Sequence, residues 1–435
     1  MEAQTITAFL AVGTIIFVGF FANLIFTKYR VPDILLLIFL GVLLGPELIG
    51  GSFRLFTHDS LADVNQYRDL FLSTALVLIL FDGGLSLDVH VLMRSMKLAT
   101  FITVLTLLCE ILLVASFLYL FLDMDIMLAL VVGTIVGGTS EAVVIPIARK
   151  MRIREETKAM LVMESVITDV LVIVIAIALM SAIVIGDVSM FFVPGELAVD
   201  FAVGGAIGFA AGFLWLFVLQ KLQNMPLSYM ITVAALFLVA GVAEISPIES
   251  SSAVAALMFG LAIGNRKHLK RWTTSVSLRL TSDEHIQEFH AEISFFVRTF
   301  FYVYLGLVFS FSAFEFKHLV IGLAIIGIIV AIRRATSLLA WKIGDLDKAD
   351  ANALFAMMPR GLAAAVLATM PYTLLASQGE PLWQDSYAEL ILNVVLIVIV
   401  GTTIVASILI LWTEKTIDRT NHEKLRTKMY QEPQS

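Results

Sequence analysis

The sequence predicts an all-α polytopic membrane protein with about thirteen transmembrane helices arranged as two inverted six-helix repeats. Three observations carry that reading. Of 435 residues, 59% are hydrophobic and 15% charged, and mean hydropathy is +0.93, far from a soluble globular profile. The apolar residues fall in stretches of about 20, the length that crosses a bilayer as a helix. The charges between the stretches alternate in sign around the whole chain, which independently supports an odd number of crossings.

In chain order the first span is Ile6–Phe26. It follows Met1-Glu2 with no basic n-region, so it reads as a true span and not as a cleaved signal. Val31–Ile49, Leu70–Leu87, Ala99–Leu122, Ile126–Ala148 and Lys158–Ile185 follow as spans two to six. Phe201–Leu219, Leu227–Ile245 and the short Ser251–Gly264 are spans seven to nine, and Ile293–Ser312, Leu319–Trp341, Ala351–Leu375 and Ala388–Leu411 are ten to thirteen. One side carries Lys28 and Arg30, Arg94 and Lys97, Arg149 through Lys158, Lys221, Arg266 through Arg271, Lys342 and Lys348, and the tail from Lys415. The opposite side carries Asp59, Asp63, Asp123, Asp125, Asp187, Glu196, Glu244, Glu249, Glu315, Glu380 and Asp385. Lys and Arg gather in cytoplasmic loops, so the N-terminus is placed outside and the C-terminus inside, in the plasma membrane. The linker Asn265–His290, with His268, His285 and His290, reads as a solvated connector, and residues 414–435 as a short polar tail.

Two spans carry helix-breaking sequence at comparable depths. The fifth contains Gly133-Thr134-Ile135-Val136-Gly137-Gly138-Thr139-Ser140-Glu141, with Pro146 beyond; the twelfth contains Met357-Met358-Pro359-Arg360-Gly361, with Pro371 beyond. Gly and Pro there favour local unwinding. The two spans are seven apart, an odd shift, so a repeat of six spans is inverted in the membrane. Spans one to six and eight to thirteen are the expected repeats, with span seven joining them. Interrupted spans at matching places in inverted halves point to a midplane substrate site.

The sixth span supplies that site's chemistry. Its middle reads Glu164-Ser165-Val166-Ile167-Thr168-Asp169, and ionisable groups at that depth are costly and usually functional. Residues four apart share a helix face, so Ser165 and Asp169 form one stripe and Glu164 and Thr168 an adjacent one. A carboxylate with hydroxyls a turn away can hold a small hard cation by oxygen, and it can also hold a proton. The two occupants exclude each other. Desolvation favours the protonated form and a bound cation the ionised form. If only occupied states cross the membrane, the two fluxes are coupled in exchange. Arg298, in span ten, is expected either to pair with Glu164 or to line the cation path, and Arg333 and Arg334 to anchor the inner part of span eleven.

The run Glu164-Ser165-x-x-Thr168-Asp169, the preceding Gly138-Thr139-Ser140, the Phe81-Asp82-Gly83-Gly84-Leu85 closing span three and Pro359-Arg360-Gly361 together resemble the monovalent cation/proton antiporters of the NhaP branch. The resemblance covers essentially the whole membrane region. It implies a homodimer in which each protomer has dimerisation helices (about 6–87 and 201–312) and a six-helix core (about 99–185 and 319–411) where two broken helices cross beside the ion site. It also implies that Asp169 binds ion and proton, that Ser165, Thr139 and Asp82 are further Na+ ligands with Thr168 alongside, and that Glu164 and Arg360 pair within the core. The chain departs from the family pattern twice. Thr168 stands where Asn usually precedes the aspartate, and Thr139-Ser140-Glu141 replaces Thr-Asp-Pro, which leaves the roles of Ser140 and Glu141 open.

Thr168 cannot ionise, whereas the electrogenic branch of similar fold uses two adjacent aspartates. The expectation is therefore electroneutral one-for-one exchange of Na+ or Li+ with H+, with K+/H+ exchange as the alternative. No cofactor and no nucleic acid is expected, only cations, protons, lipid and a second copy. A channel calls for a continuous polar pore, whereas the polar groups here concentrate on a few spans. Enzymatic chemistry has no His or Cys cluster in the spans to support it, and the lone Cys109 excludes a disulfide within one chain.

Overall fold

The structure, a computed structural model, describes residues 2–29, 32–48, 68–86, 97–185, 193–221, 228–245, 251–266, 283–309, 314–344, 346–371 and 385–431. These residues form fifteen helices and no strand. In order they are α1 (Glu2–Tyr29), α2 (Asp33–Leu44), α3 (Arg68–Ser86), α4 (Lys97–Leu122), α5 (Ile126–Ile135), α6 (Glu141–Lys150), α7 (Glu155–Ile185) and α8 (Val193–Lys221). There follow α9 (Ser228–Ile245), α10 (Ser251–Gly264), α11 (Asp283–Val308), α12 (Phe316–Ile343), α13 (Lys348–Ala356), α14 (Leu362–Pro371) and α15 (Asp385–Gln431). Every expected span is present, eleven as single helices and two as broken pairs: α5 with α6 and α13 with α14. Five helices are long and apolar enough to cross a membrane by themselves, and eight shorter apolar helices accompany them.

Several ends differ from the sequence expectation. Helices α7, α8 and α11 begin three to ten residues before their apolar stretches, and α15 continues helical into the polar tail. Hydropathy marks the part that suits hydrocarbon, while helical hydrogen bonding continues into polar sequence until a breaker stops it. His268 lies outside the described residues, as do the side chains of His285 and His290.

The helices pair in a pattern that an inverted two-fold requires. Helix α2 packs on α11, and α3 packs on α10. Each pair joins the second span of one expected repeat to the third span of the other. Glycines make both seams close. A Cβ at Gly41 would meet the Val303 carbonyl and lie 2.8 Å from Gly306 Cα, and one at Gly260 would meet the Phe81 carbonyl. Gly208 and Gly212 bring α8 onto α10 in the same way. Small residues replace the hydrophobic drive that is missing between helices in lipid, because they let backbones approach and maximise van der Waals contact.

The second group of helices gathers around the breaks. Helix α4 packs on α5 and α12, α7 on α5 and α6, and α15 on α12, α13 and α14. Helices α7 and α14 also touch α3, and α14 touches α11. A small cavity lies among those last contacts.

Candidate functional site

The breaks in the two interrupted spans face each other. Helix α5 starts on Asp125, whose carboxylate accepts from the Met127 and Leu128 amides, and runs only to Ile135. The chain from Val136 to Ser140 is then non-helical, and α6 starts at Glu141. On the other side α13 ends at Ala356, and α14 starts at Leu362. The Ser140 amide donates to the Pro359 carbonyl at 2.8 Å, joining the two unwound segments. Gly361 is required there, because a Cβ at that position would collide with the Ser140 side chain. The crossing implied by the resemblance is thus present, and the glycine and proline pattern located it.

Helix α7 passes beside the crossing and holds it with side chains. Thr139 N donates to Thr168 Oγ1 at 3.1 Å, and the two hydroxyls lie 3.2 Å apart. One residue on, Asp169 Oδ2 accepts from the Glu141 amide at 3.3 Å. Ser140 occupies the N-cap of α6 without its hydroxyl capping the helix, so a carboxylate from another helix takes that position. The free amides and aligned dipoles of a helix N-terminus attract negative charge. Asp169 is therefore oriented by the broken helix itself.

Asp169 faces a cavity of about 60 Å³ that Asp82, Ser140, Glu141, Arg298, Leu362 and Ala363 also line. That volume holds a few waters or a part-hydrated ion. Asp82 comes from α3 and Arg298 from α11, so the cavity lies between the two groups of helices. Among the described residues no basic side chain forms an ion pair with Asp169. Arg298 turns to Asp33 of α2, 3.5 Å away.

The four residues expected to hold Na+ are divided by this geometry. Asp169 and Asp82 line the cavity. Ser165, fully buried, donates back to the Val162 carbonyl at 3.0 Å, and Thr139 faces Thr168. Ser140 and Glu141, left open by the sequence, are on the cavity instead.

The expected pairing of Glu164 with Arg360 is corrected. Glu164 pairs with Arg333 of α12, and Arg360 Nη2 lies 2.8 Å from Glu110 Oε2 of α4. The helix phase explains the exchange of partners. Glu164 lies on the side of α7 that faces α12 and α13, and Arg360, on the unwound strand, points to α4 and is wholly buried. Arg333 also donates to the Leu354 carbonyl at 2.8 Å and to the Met357 carbonyl. It thus caps the C-terminus of half-helix α13, where a cation offsets the negative end of the dipole. The sequence expectation made Arg333 an inner anchor of its span and not the partner of Glu164. A signal was present: Ile329, Arg333, Thr336 and Ala340 recur at helical spacing and are all buried, whereas Arg334 reaches Asn352 and the Phe355 ring at the surface.

A family model described as sodium/hydrogen exchanger, transmembrane, matches residues 12–415, and the chain belongs to that family. It is 28% identical over 351 residues to the K(+)/H(+) antiporter NhaP of Alkalimonas amylolytica, an alignment covering 78% of this chain and 55% of that protein. It is 27% identical over 357 residues to the probable Na(+)/H(+) antiporter 2 of Methanocaldococcus jannaschii, covering 80% of each. The chain therefore spans about half the length of the first relative and four-fifths of the second. The solved structure of the sodium proton antiporter MjNhaP1 from Methanocaldococcus jannaschii superposes with a TM-score of 0.73 at 20% identity, over 94% of this chain and 99% of that one. The two share the antiporter fold. The protein is thus a multi-pass membrane protein of the sodium/hydrogen exchanger family.

Proposed function

We propose that the protein is a secondary antiporter exchanging Na+ or Li+ for H+, one for one and electroneutrally, by competition of the two for Asp169. The observation that carries this reading is the placement of the Asp169 carboxylate. It lies at a cavity between two helix groups, held by a half-helix N-terminus and with no basic side chain paired to it among the described residues. An ionised carboxylate in that position needs a counter-ion, and a cation or a proton serves equally well in sign but not at the same time.

The oxygens of Asp169, Asp82, Glu141 and Ser140 are the ones disposed to receive a part-dehydrated cation. Ser165 and Thr139 join by rotating about χ1. The proton form and the cation form both remove the bare charge, and only these forms cross between inward- and outward-facing arrangements. The helices around the breaks, α4–α7 and α12–α15, move as one body. The glycine-seamed helices α1–α3 and α8–α11 stay in place and make the homodimer. Large apolar side chains exposed on α8 and α9, such as Leu214 and Leu238, face lipid or the second copy. The N-terminus lies outside the plasma membrane and the C-terminus in the cytoplasm, as the loop charges direct.

The one-for-one count follows from Thr168, which carries no charge beside Asp169. K+/H+ exchange is the second reading, favoured by the likeness to the K(+)/H(+) antiporter of Alkalimonas amylolytica. In proteoliposomes, dye-quench exchange with Na+, Li+ and K+ separates the ions, and Asp169→Asn is expected to abolish exchange with whichever ion is carried. Exchange driven by an imposed membrane potential contradicts the one-for-one count and points to Glu141 as a second proton carrier.

A further inference from the structure

We infer that Arg298 is a built-in competitor for the transported cation, held away from the carboxylates by Asp33, so that the Asp33–Arg298 pair sets the cation affinity of the cavity. The inference rests on the reading of the cavity as the cation site. Arg298 lines that cavity together with Asp82, Glu141 and Asp169. Its Nη2 lies 3.5 Å from Asp33 Oδ2, on the side of α11 that packs on α2. The guanidinium is therefore a fixed positive charge between one buried carboxylate behind it and three in front.

The pair is loosely made for a buried one. A well-formed charged hydrogen bond is close to 2.8 Å, and the other Asp33 oxygen is taken by the Ile34 amide at 3.0 Å. Arg298 Nε is buried without a hydrogen-bond partner, as is the Tyr302 hydroxyl one turn along the same helix. Arg333 Nε is orphaned as well, but both terminal nitrogens of Arg333 are engaged, by a carboxylate and two carbonyls. Arg298 has donors to spare and acceptors on both sides. Asp33 is 3% exposed and has no other cation paired to it among the described residues, and a buried carboxylate so placed keeps the guanidinium on its side. Release of that hold would let the guanidinium enter the space that Na+ occupies, since an arginine fork satisfies carboxylates as an ion does.

The test is a pair of substitutions with opposite signs. Asp33→Asn frees Arg298 toward the cavity and is expected to raise the KM for Na+ in proteoliposome exchange by about threefold or more, a modest share of one unit charge acting at short range in a part-hydrated site. Arg298→Gln removes the competitor and is expected to lower the KM by a similar factor. Because Asp33 acts through Arg298, the double variant Asp33→Asn, Arg298→Gln is expected to match Arg298→Gln alone, and it leaves no uncompensated buried charge to unfold the protein. Shifts of the same sign in the two single variants, or a rise from Asp33→Asn that persists in the Arg298→Gln background, overturn the inference while leaving the cavity reading intact. Full exchange in Asp169→Asn overturns the cavity reading and the inference with it.

Discussion

Two regions of this molecule, on either side of the helix crossing, hold ionisable groups in different ways. Behind the crossing, Glu164 with Arg333 and Glu110 with Arg360 form ion pairs, each side chain under a tenth exposed. In front of it, Asp169, Asp82 and Glu141 share a small cavity whose one guanidinium, Arg298, is turned to Asp33. The first region is neutral by itself. In the second, three carboxylates line a cavity whose guanidinium is paired with a fourth. On the proposed function, what marks the transport site is not buried charge but Asp169, which has no basic side chain paired to it among the described residues.

The largest effects should separate the two regions cleanly. Asp169→Asn is expected to remove exchange to background while the purified protein keeps its thermal stability in detergent, because the variant relieves an uncompensated carboxylate. Glu164→Gln and Glu110→Gln are expected to do the reverse. Each strands a buried arginine, a loss of about 3–5 kcal/mol, read as a lowered melting temperature and poor yield. If Asp169→Asn unfolds the protein and Glu164→Gln leaves it stable and inactive, the two regions have been assigned the wrong way round.

A smaller effect sharpens the boundary of the cavity. Asp82→Asn removes one of the facing charges without touching the crossing, and it is expected to raise the KM for cation by about tenfold, a unit charge several ångströms away in a part-hydrated site. Fluorescence-quench titration at fixed pH reads this directly. Smaller still is Thr168→Val. It removes the hydroxyl that receives the Thr139 amide at 3.1 Å, and it is expected to destabilise by about 1 kcal/mol, the ordinary net value of a hydrogen bond. Exchange survives, since the second tie of the crossing, Ser140 N to Pro359 O, stays in place.

The same contrast explains what could be read from sequence. The spans were legible because hydropathy reports a length set by the bilayer. The breaks were legible because Gly137-Gly138 and Pro359-Arg360-Gly361 are local chemistry. Asp169 stood out since its own helix offers no cation at i±3 or i±4. The partners of the ion pairs were not legible. Helical spacing fixes the face on which Glu164 sits, but which arginine meets that face depends on how α7, α12 and the unwound strand cross, and both Arg333 and Arg360 satisfy the charge rule. The direction of Ser165 was hidden for a related reason: its hydroxyl bonds to the Val162 carbonyl of its own helix, a choice of rotamer that spacing does not express. Asp33 gave no signal at all, since a carboxylate opening an apolar stretch reads as a helix start.

The central claim is that cation and proton exclude each other at Asp169, and proton release on cation binding tests it most directly. Weakly buffered, detergent-solubilised protein titrated with NaCl, or with KCl if K+ is the carried ion, should release close to one proton per ion bound, with apparent affinity falling as pH falls, and Asp169→Asn should release none. Cation binding that is saturable, independent of pH and silent in proton release would contradict the account.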